Sequence, residues 1–293
     1  MVRRVQALKA WSSLLLAFAS ATLTASSQAQ TLPVSELGQL THFHGIAVDR
    51  KDSSRIYFAT HHGFFVVTTD GMATRVSENK NDFMGFTPHP TDASVLYASG
   101  HPASGGNMGF VVSTDGGKTW QQRAKGVRGP VDFHQMDVSK TDPNTIYGVL
   151  GGLQFSRDSG HTWKLIAEMP DGLIDMAASA KRNRLYAATR QGLLITHDLG
   201  KTWQAAYMLG RPATMVQTTK AGDVYAFVVG VGLIRGTEPT LRWSSPNVGF
   251  GDQLIMHLAV DPSNQKNLYA VTDKGRVFAS TDGGRTWTSF GAR

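Results

Sequence analysis

The chain alternates between short apolar segments and polar turns that contain glycine, and no helical periodicity follows its first thirty residues. A short segment with tyrosine at its second or third position recurs six times, as RIYFAT, VLYASG, TIYGVL, RLYAAT, DVYAFV and NLYAVT. Its tyrosines, spaced by 40, 50, 39, 39 and 44 residues, are Tyr57, Tyr97, Tyr147, Tyr186, Tyr225 and Tyr269. Short apolar runs bounded by turn residues predict β-strands. The sequence therefore predicts an all-β fold built from six copies of one unit.

Each copy is predicted to contain four strands, which we denote A to D. Strand A, such as HGIAVD at 44–49, is apolar and leads through a polar turn into the tyrosine strand B. Strand C follows a loop with glycine, as in GFVVSTD at 109–115, and strand D begins at a tryptophan. A period near 40 residues with four short strands per repeat is typical of a propeller. We predict a six-bladed β-propeller with blades at about 41–78, 82–125, 131–168, 173–208, 213–246 and 253–290.

The turn between strands C and D carries the most specific motif. It reads STDGGKTW at 113–120, SRDSGHTW at 156–163, THDLGKTW at 196–203 and STDGGRTW at 280–287, and blade 5 has lost it. This pattern resembles the Asp-box, or BNR, repeat of sialidases, sortilin-type receptors and propeller-type photosystem II assembly factors. The resemblance implies that the motif lies on the rim, away from the ligand face. Aspartate in such a turn can accept hydrogen bonds from nearby amides, so we interpret Asp115, Asp158, Asp198 and Asp282 as structural.

The first thirty residues have the features of a secretory signal. Three cations precede a short apolar run at 14–23, and the small residues Ser27 and Ala29 suit cleavage before Gln30. We expect residues 1–29 to be a signal peptide and residues 30–293 to form one propeller domain, periplasmic or secreted, with no membrane span. The chain has no cysteine, which excludes disulfides and thiolate metal ligands.

The net charge changes this interpretation little. It is +7, and removing the leader takes away three cations and no anions, which leaves +4. No cluster of Lys and Arg with interleaved aromatic residues is present, so we expect no nucleic-acid partner.

Propeller ligands usually bind at one mouth of the central tunnel, near the start of strand A and the B-to-C loops. Alignment of the A strands on the following tyrosine places there His44, Met84, His134 and Met256, with Asp175 and approximately Met215 completing the ring. Imidazole with thioether prefers Cu(I), and imidazole alone accepts Cu(II) or Zn(II). The predicted metal ligands, with copper as the preferred ion, are His42, His44, His61, His62, Met84, His101, Met108 and His134. The alternative is that these residues only pack, since methionine fills core gaps and buried histidine is often satisfied by hydrogen bonds.

Resemblance to sialidases implies a second possible function, glycoside hydrolysis, with a small anionic or carbohydrate ligand. The chain lacks the arginine-isoleucine-proline signature of sialidases at its start. A different anionic site can be assembled from the loop residues Arg128, Arg190 and Arg211 as ligand-binding groups. The candidate catalytic carboxylates are Asp82, Asp132 and Asp175, two of which would have to lie about 5 to 10 Å apart.

A third possible function is that of a non-catalytic scaffold. Resemblance to the assembly factors implies a protein client, here one of the cell envelope, held on one face of the propeller. An exposed apolar patch on the face with the histidines and methionines would favour this function.

Overall fold

The computed structural model describes residues 31–247 and 250–291, so the predicted signal peptide lies outside the described residues. These residues form six antiparallel sheets around a central tunnel, which confirms the predicted six-bladed β-propeller. Within each blade, consecutive strands pair, because short turns join neighbouring antiparallel strands. Each innermost strand contacts the innermost strands of the two adjacent blades.

The first three blades span the part of the chain that is rich in histidine. Blade 1 consists of β1 (Thr31–Pro33), helix α1 (Val34–Leu40), β2 (Phe43–Val48), β3 (Arg55–Thr60), β4 (Gly63–Thr68) and β5 (Met72–Arg75). Blade 2 consists of β6 (Asp82–Pro88), β7 (Leu96–His101), β8 (Phe110–Ser113) and β9 (Gln121–Ala124). Blade 3 consists of β10 (Gln135–Val138), β11 (Ile146–Val149), β12 (Leu153–Ser156) and β13 (Lys164–Ala167).

The last three blades have four strands each. Blade 4 consists of β14 (Leu173–Ala178), β15 (Leu185–Thr189), β16 (Gly192–Thr196) and β17 (Gln204–Leu209). Blade 5 consists of β18 (Ala213–Thr218), β19 (Asp223–Val228), β20 (Gly232–Thr237) and β21 (Ser244–Asn247). Blade 6 consists of β22 (Ile255–Val260), β23 (Leu268–Thr272), β24 (Val277–Ser280) and β25 (Thr288–Ser289).

The core lies between adjacent blades. The ring of Trp120, in the Asp-box of blade 2, lies 5.3 Å from that of Phe64 in blade 1 and 4.9 Å from that of Phe83. Trp163 repeats this one blade later, with Phe110 at 5.2 Å and Phe133 at 4.9 Å between ring centroids. Aromatic pairs at these separations add to the free energy of burying apolar area, so the motif tryptophan joins one blade to the next.

The Asp-box turns are closed by their own side chains. Ser113 Oγ donates to Asp115 Oδ1 over 2.8 Å and accepts the amide of Gly117 over 2.9 Å, while Thr119 Oγ1 donates to Asp115 Oδ2 over 2.6 Å. The same bonds recur around Asp158, Asp198 and Asp282. Hydrogen bonds from Thr162 and Thr202 lower the pKa of Asp158 and of Asp198 to about 2. These carboxylates therefore stabilise the turns in which they lie.

Blade 5, which has lost the Asp-box, uses a buried glutamate at the same turn. Glu238 Oε1 accepts hydrogen bonds from Ser179 Oγ (2.6 Å), Arg184 Nη1 (3.1 Å) and Tyr186 OH (2.7 Å), all in blade 4. Only 1% of the Glu238 side chain is exposed. The carboxylate therefore ties blade 5 to blade 4.

The two ends of the described chain meet between blades 6 and 1. Strand β1 pairs with β5 and so adds a fifth strand to the outer edge of blade 1. Ser35 Oγ donates to Gly291 O over 3.0 Å, and Val34 packs in one cluster with Phe290. Blade 6 completes its own four strands. In the described part of the chain, no helix has the length and apolar character needed to cross a membrane.

Candidate metal-binding site at the tunnel mouth

The tunnel is a cavity of about 930 Å³ walled by the innermost strands. At one end, six residues occupy equivalent positions, each three residues before the partner of a strand-B tyrosine. We call them the mouth ring; they are His44, Met84, His134, Ile174, Thr214 and Met256. Two expectations are corrected here, since Asp175 and Met215 lie one position deeper than the ring. From ring residue to tyrosine there are 13 residues in blades 1, 2, 3 and 6, 12 in blade 4 and 11 in blade 5, whereas Asp175 and Met215 would require 11 and 10. The A-to-B turns of blades 4 and 5 are therefore shortened by one residue less than expected.

A β-bulge places most of the ring residues. In blades 1, 4, 5 and 6, the ring residue is the extra residue of a bulge and has no cross-strand partner. In blade 1, for example, Phe43 pairs with Thr60 and Gly45 with Ala59, which leaves His44 unpaired. Bulges can re-aim a side chain beside a site. Here the bulge leaves the His44 side chain free to turn toward the mouth.

His44, His61 and Asp82 form the first group of converging side chains, between blades 1 and 2. His44 Nε2 lies 2.9 Å from His61 Nδ1 and 3.4 Å from Asp82 Oδ1, and His61 Nδ1 lies 2.8 Å from Asp82 Oδ2. All three could offer one ligand atom to a shared ion. Burial, followed by the charges of His61 and other histidines, lowers the pKa of His44 to about 3, so its imidazole is neutral at ordinary pH and can coordinate a metal.

His101, Asp132 and His134 form the second group, between blades 2 and 3. Asp132 Oδ2 lies 3.0 Å from His101 Nε2 and 2.7 Å from His134 Nε2. On its other side, His101 Nδ1 donates to Gly106 O over 2.8 Å, and this bond raises the pKa of His101. The second group also has two imidazoles and one carboxylate.

A repeated tripeptide explains why both groups lie in blades 1 to 3. It reads HFH at 42–44, DFM at 82–84 and DFH at 132–134, and its central residues Phe43, Phe83 and Phe133 are buried. In blade 2, where the tripeptide lies within β6, side chains alternate along the strand, so Asp82 and Met84 lie on the opposite side of the backbone from Phe83. The repeat is a sequence signal for Asp82 and Asp132 as possible ligands, in addition to the catalytic role predicted for them.

Other predicted ligands lie beside the groups or apart from them. The rings of His42 and His62 are exposed and each lies 6.0 Å from that of His61. Met84 is the mouth-ring residue of blade 2, at the position equivalent to that of His44 in blade 1. Met108 packs in the hydrophobic cluster between blades 1 and 2, where its sulfur accepts a hydrogen bond from Asn81 Nδ2 over 3.3 Å. This placement does not support Met108 as a metal ligand.

The three predicted ligand-binding arginines lie in exposed loops at the mouth end of three different blades. Arg128 precedes blade 3, Arg190 lies in the B-to-C turn of blade 4, and Arg211 precedes blade 5. None of them lines the tunnel in the described structure. The structure therefore does not bring them together with the histidine groups.

Asp175 and His257 lie one layer inside the mouth ring. Asp175 accepts the amides of Met176 (2.8 Å) and Val216 (2.9 Å), yet burial raises its pKa to about 7. His257 Nε2 donates to Phe43 O over 3.0 Å, and burial lowers its pKa to about 4. Asp175 thus lies apart from the other two candidate catalytic carboxylates, Asp82 and Asp132.

Comparisons with known proteins agree with the fold. The BNR/Asp-box repeat model matches residues 111–122. The chain is 23% identical over 286 residues to the oligoxyloglucan-reducing end-specific xyloglucanase of Emericella nidulans, covering 83% of this chain and 33% of that protein. The chain thus spans about a third of the length of this relative.

Two solved structures illustrate the likeness. A GH74 enzyme of Niastella koreensis superposes with a TM-score of 0.58 at 18% identity, covering 85% of this chain and 45% of that one. YCF48 from Cyanidioschyzon merolae superposes with a TM-score of 0.50 at 17% identity, covering 85% and 84%. The four closed Asp-box turns, the six blades and these likenesses identify the chain as a six-bladed Asp-box β-propeller, related in fold to the GH74 enzymes and to YCF48.

Proposed function

We propose that this protein is an exported metal-binding propeller in which His44, His61 and Asp82 hold a transition-metal ion at the tunnel mouth. The observation that carries the proposal is the convergence of their donor atoms: His44 Nε2 lies 2.9 Å from His61 Nδ1, and the two nitrogens lie 3.4 Å from Oδ1 and 2.8 Å from Oδ2 of Asp82, respectively. Adjacent ligand atoms around an ion with metal–nitrogen bonds near 2.0–2.1 Å lie roughly 3.0 to 3.4 Å apart. The separations of 2.8 to 3.4 Å between these donor atoms are therefore close to those between neighbouring ligands of one ion.

The donor types narrow the choice of ion. Two imidazoles with one carboxylate suit Cu(II), Zn(II) or Fe(II), whereas Cu(I) prefers thioether and thiolate sulfur. Copper remains the proposed ion, and the carboxylate of Asp82 favours its divalent state. A neutral His44 supports this function, because its ring carries no positive charge that would have to be lost before a metal binds.

Calorimetric titration of the mature protein with Cu(II) and Zn(II), against a competing chelator, tests the proposal. We expect one ion or more to bind with sub-micromolar affinity, and the double variant His44→Ala/His61→Ala to bind at least about 100-fold more weakly. The matched control is His161→Ala, since this exposed histidine lies in an Asp-box at the opposite end. Binding weaker than micromolar in the wild type, or equal binding in the double variant, would overturn the proposal.

Glycoside hydrolysis is the second candidate function. Asp82 and Asp132 contact His44 and His134, respectively, which line the 930 Å³ cavity, and the chain has the similarity to a xyloglucanase described above. A panel of chromogenic glycosides and xyloglucan oligosaccharides tests it. Activity that is lost in Asp132→Asn but kept in Asp115→Asn would support this function, and inactivity on the whole panel would remove it.

Binding of an envelope protein client is the third candidate. Leu150, Met208 and Leu209, at the mouth end of blades 3 and 4, are 39%, 51% and 56% exposed. Capture of one protein from envelope extract by the wild type but not by Met208→Ser/Leu209→Ser would support a client surface. Equal capture by both proteins would place the surface elsewhere.

A further inference from the structure

We infer that His101, Asp132 and His134 bind a second metal ion, and that the two ions form one coupled pair across blade 2. This inference rests on the proposed function, because it adds an ion to the one held by His44, His61 and Asp82. The two groups have matching donor sets, and three further observations carry the inference. They are an unpartnered oxygen on each carboxylate, the orientation of His101, and the cross-strand pairing of Asp82 with His101 in blade 2.

The first observation concerns the two carboxylates. Asp82 Oδ1 and Asp132 Oδ1 are both buried and have no hydrogen-bond partner among the described residues. The two side chains are only 14% and 10% exposed. His44 Nε2 lies 3.4 Å from Asp82 Oδ1 but forms no hydrogen bond with it. A buried carboxylate oxygen without a partner is costly, and a bound cation is one of the few ways to satisfy it. Both groups share this feature.

The second observation is the orientation of His101. Its Nδ1 donates to Gly106 O over 2.8 Å, which directs Nε2 to Asp132 at 3.0 Å. A histidine that ligates a metal characteristically gives its other ring N–H to a carbonyl or carboxylate oxygen, which sets the tautomer and the ring orientation. His134 Nε2 approaches the same carboxylate oxygen at 2.7 Å. An ion at this position would replace the protons that now join the two nitrogens to one oxygen.

The third observation links the two groups. Asp82, of the first group, is the direct cross-strand partner of His101, of the second, where β6 pairs with β7. Partners in an antiparallel ladder have Cα atoms about 4.5 to 5.5 Å apart. This one cross-strand pair of blade 2 therefore contributes one residue to each group.

Two dications at neighbouring groups repel each other, since the charges are close and partly shielded from water. The second ion should therefore bind more weakly than the first. Removing the first group should raise the affinity of the second, by about tenfold for a typical coupling between sites. The two ions are filled in sequence rather than independently.

The experiment uses Cu(II) as the probe and the mature protein as it exists. Bound copper is counted by elemental analysis after gel filtration, and electron paramagnetic resonance reports dipolar coupling between two copper centres. We expect two ions per chain with a coupled spectrum in the wild type. His101→Ala/His134→Ala and His44→Ala/His61→Ala should each keep one ion and give an uncoupled spectrum, while His161→Ala should match the wild type.

His134→Ala alone serves as a second variant if the double variant fails to fold, because this side chain is exposed. One ion per chain in the wild type, retained in His101→Ala/His134→Ala, would overturn the inference and leave the proposed function standing. Two ions without dipolar coupling would overturn the coupled pair. Absence of any bound ion would overturn the inference and the proposed function together.

Discussion

His44 Nε2 and His61 Nδ1 lie 2.9 Å apart, although the two histidines are 17 residues apart in the chain. Two ring nitrogens at this distance must share a proton, because two lone pairs facing each other would repel. An ion can take the place of that proton. The contact therefore holds the two rings in the arrangement that a metal would need.

The first prediction compares two adjacent histidines in one loop. His61→Ala should weaken Cu(II) binding at least about tenfold, because it removes a ligand atom, whereas His62→Ala should leave it within about twofold. Both rings are exposed, but only His61 contacts Asp82. Competition titration gives the two affinities. Equal losses in both variants would show that the loop acts only through its overall charge.

The second prediction concerns the Asp-box of blade 2. Ser113 is 1% exposed and links Asp115 to the amide of Gly117, so Ser113→Ala should lower the free energy of unfolding by about 1 to 3 kcal/mol. Thr114→Ala, at the neighbouring exposed position, should change it little. Urea unfolding followed by tryptophan fluorescence measures both. Metal affinity should be the same in both variants, and a loss of binding in Ser113→Ala would contradict a purely structural Asp-box.

The third prediction concerns the link between blades 4 and 5. Glu238→Gln should destabilise the fold by about 3 kcal/mol, because it leaves the charge of Arg184 without its buried partner. Glu168→Gln, at an exposed position, is the matched control. Thermal unfolding of the two variants should differ clearly. Similar melting temperatures would mean that the Glu238 carboxylate contributes nothing net.

The fourth prediction is a pH dependence. The pKa of Asp175 is raised to about 7 by burial, against an unfolded value near 3.9. Between about pH 4 and pH 7, the folded state keeps a proton that the unfolded chain releases. The contribution of Asp175 to stability therefore falls as the pH rises through this window, by at most about 1.4 kcal/mol per pH unit.

Asp175→Asn isolates that contribution, since other groups titrate in the same window. The stability of the wild type relative to Asp175→Asn should decrease from about pH 4 to pH 7, measured by urea unfolding. Asp171→Asn, at an exposed position, should show no such trend. A constant difference between wild type and Asp175→Asn would mean that the two amide bonds keep the carboxylate ionised throughout.

The fold could be predicted from the sequence because its main signals are local. The motif around Asp115 closes its own turn, and Tyr57 and its five equivalents mark one strand per blade, so each blade can be identified from its own residues. The location of the histidine-rich mouth follows from the same repeat.

The composition of each group could be predicted only in part, because its members come from different blades. Asp82 meets His44 and His61 across a blade boundary, and no spacing in the chain encodes that distance. The predicted register in blades 4 and 5 is wrong by one residue, because the A-to-B turns there are one residue longer than the placement of Asp175 and Met215 assumes. Met108 lies next to Gly109, the last glycine of its loop, and nothing in the sequence shows that its sulfur faces Asn81.

Because of the bulges at the tunnel mouth, the side chains that line the opening can change without changing the strand pairing within the blades. An extra residue such as Ile174 or Met256 has no cross-strand partner in its sheet, so exchanging its side chain breaks no strand pairing. Imidazoles could be grafted there to extend the histidine array around the opening. The same freedom would let related propellers diversify what they hold while keeping one scaffold.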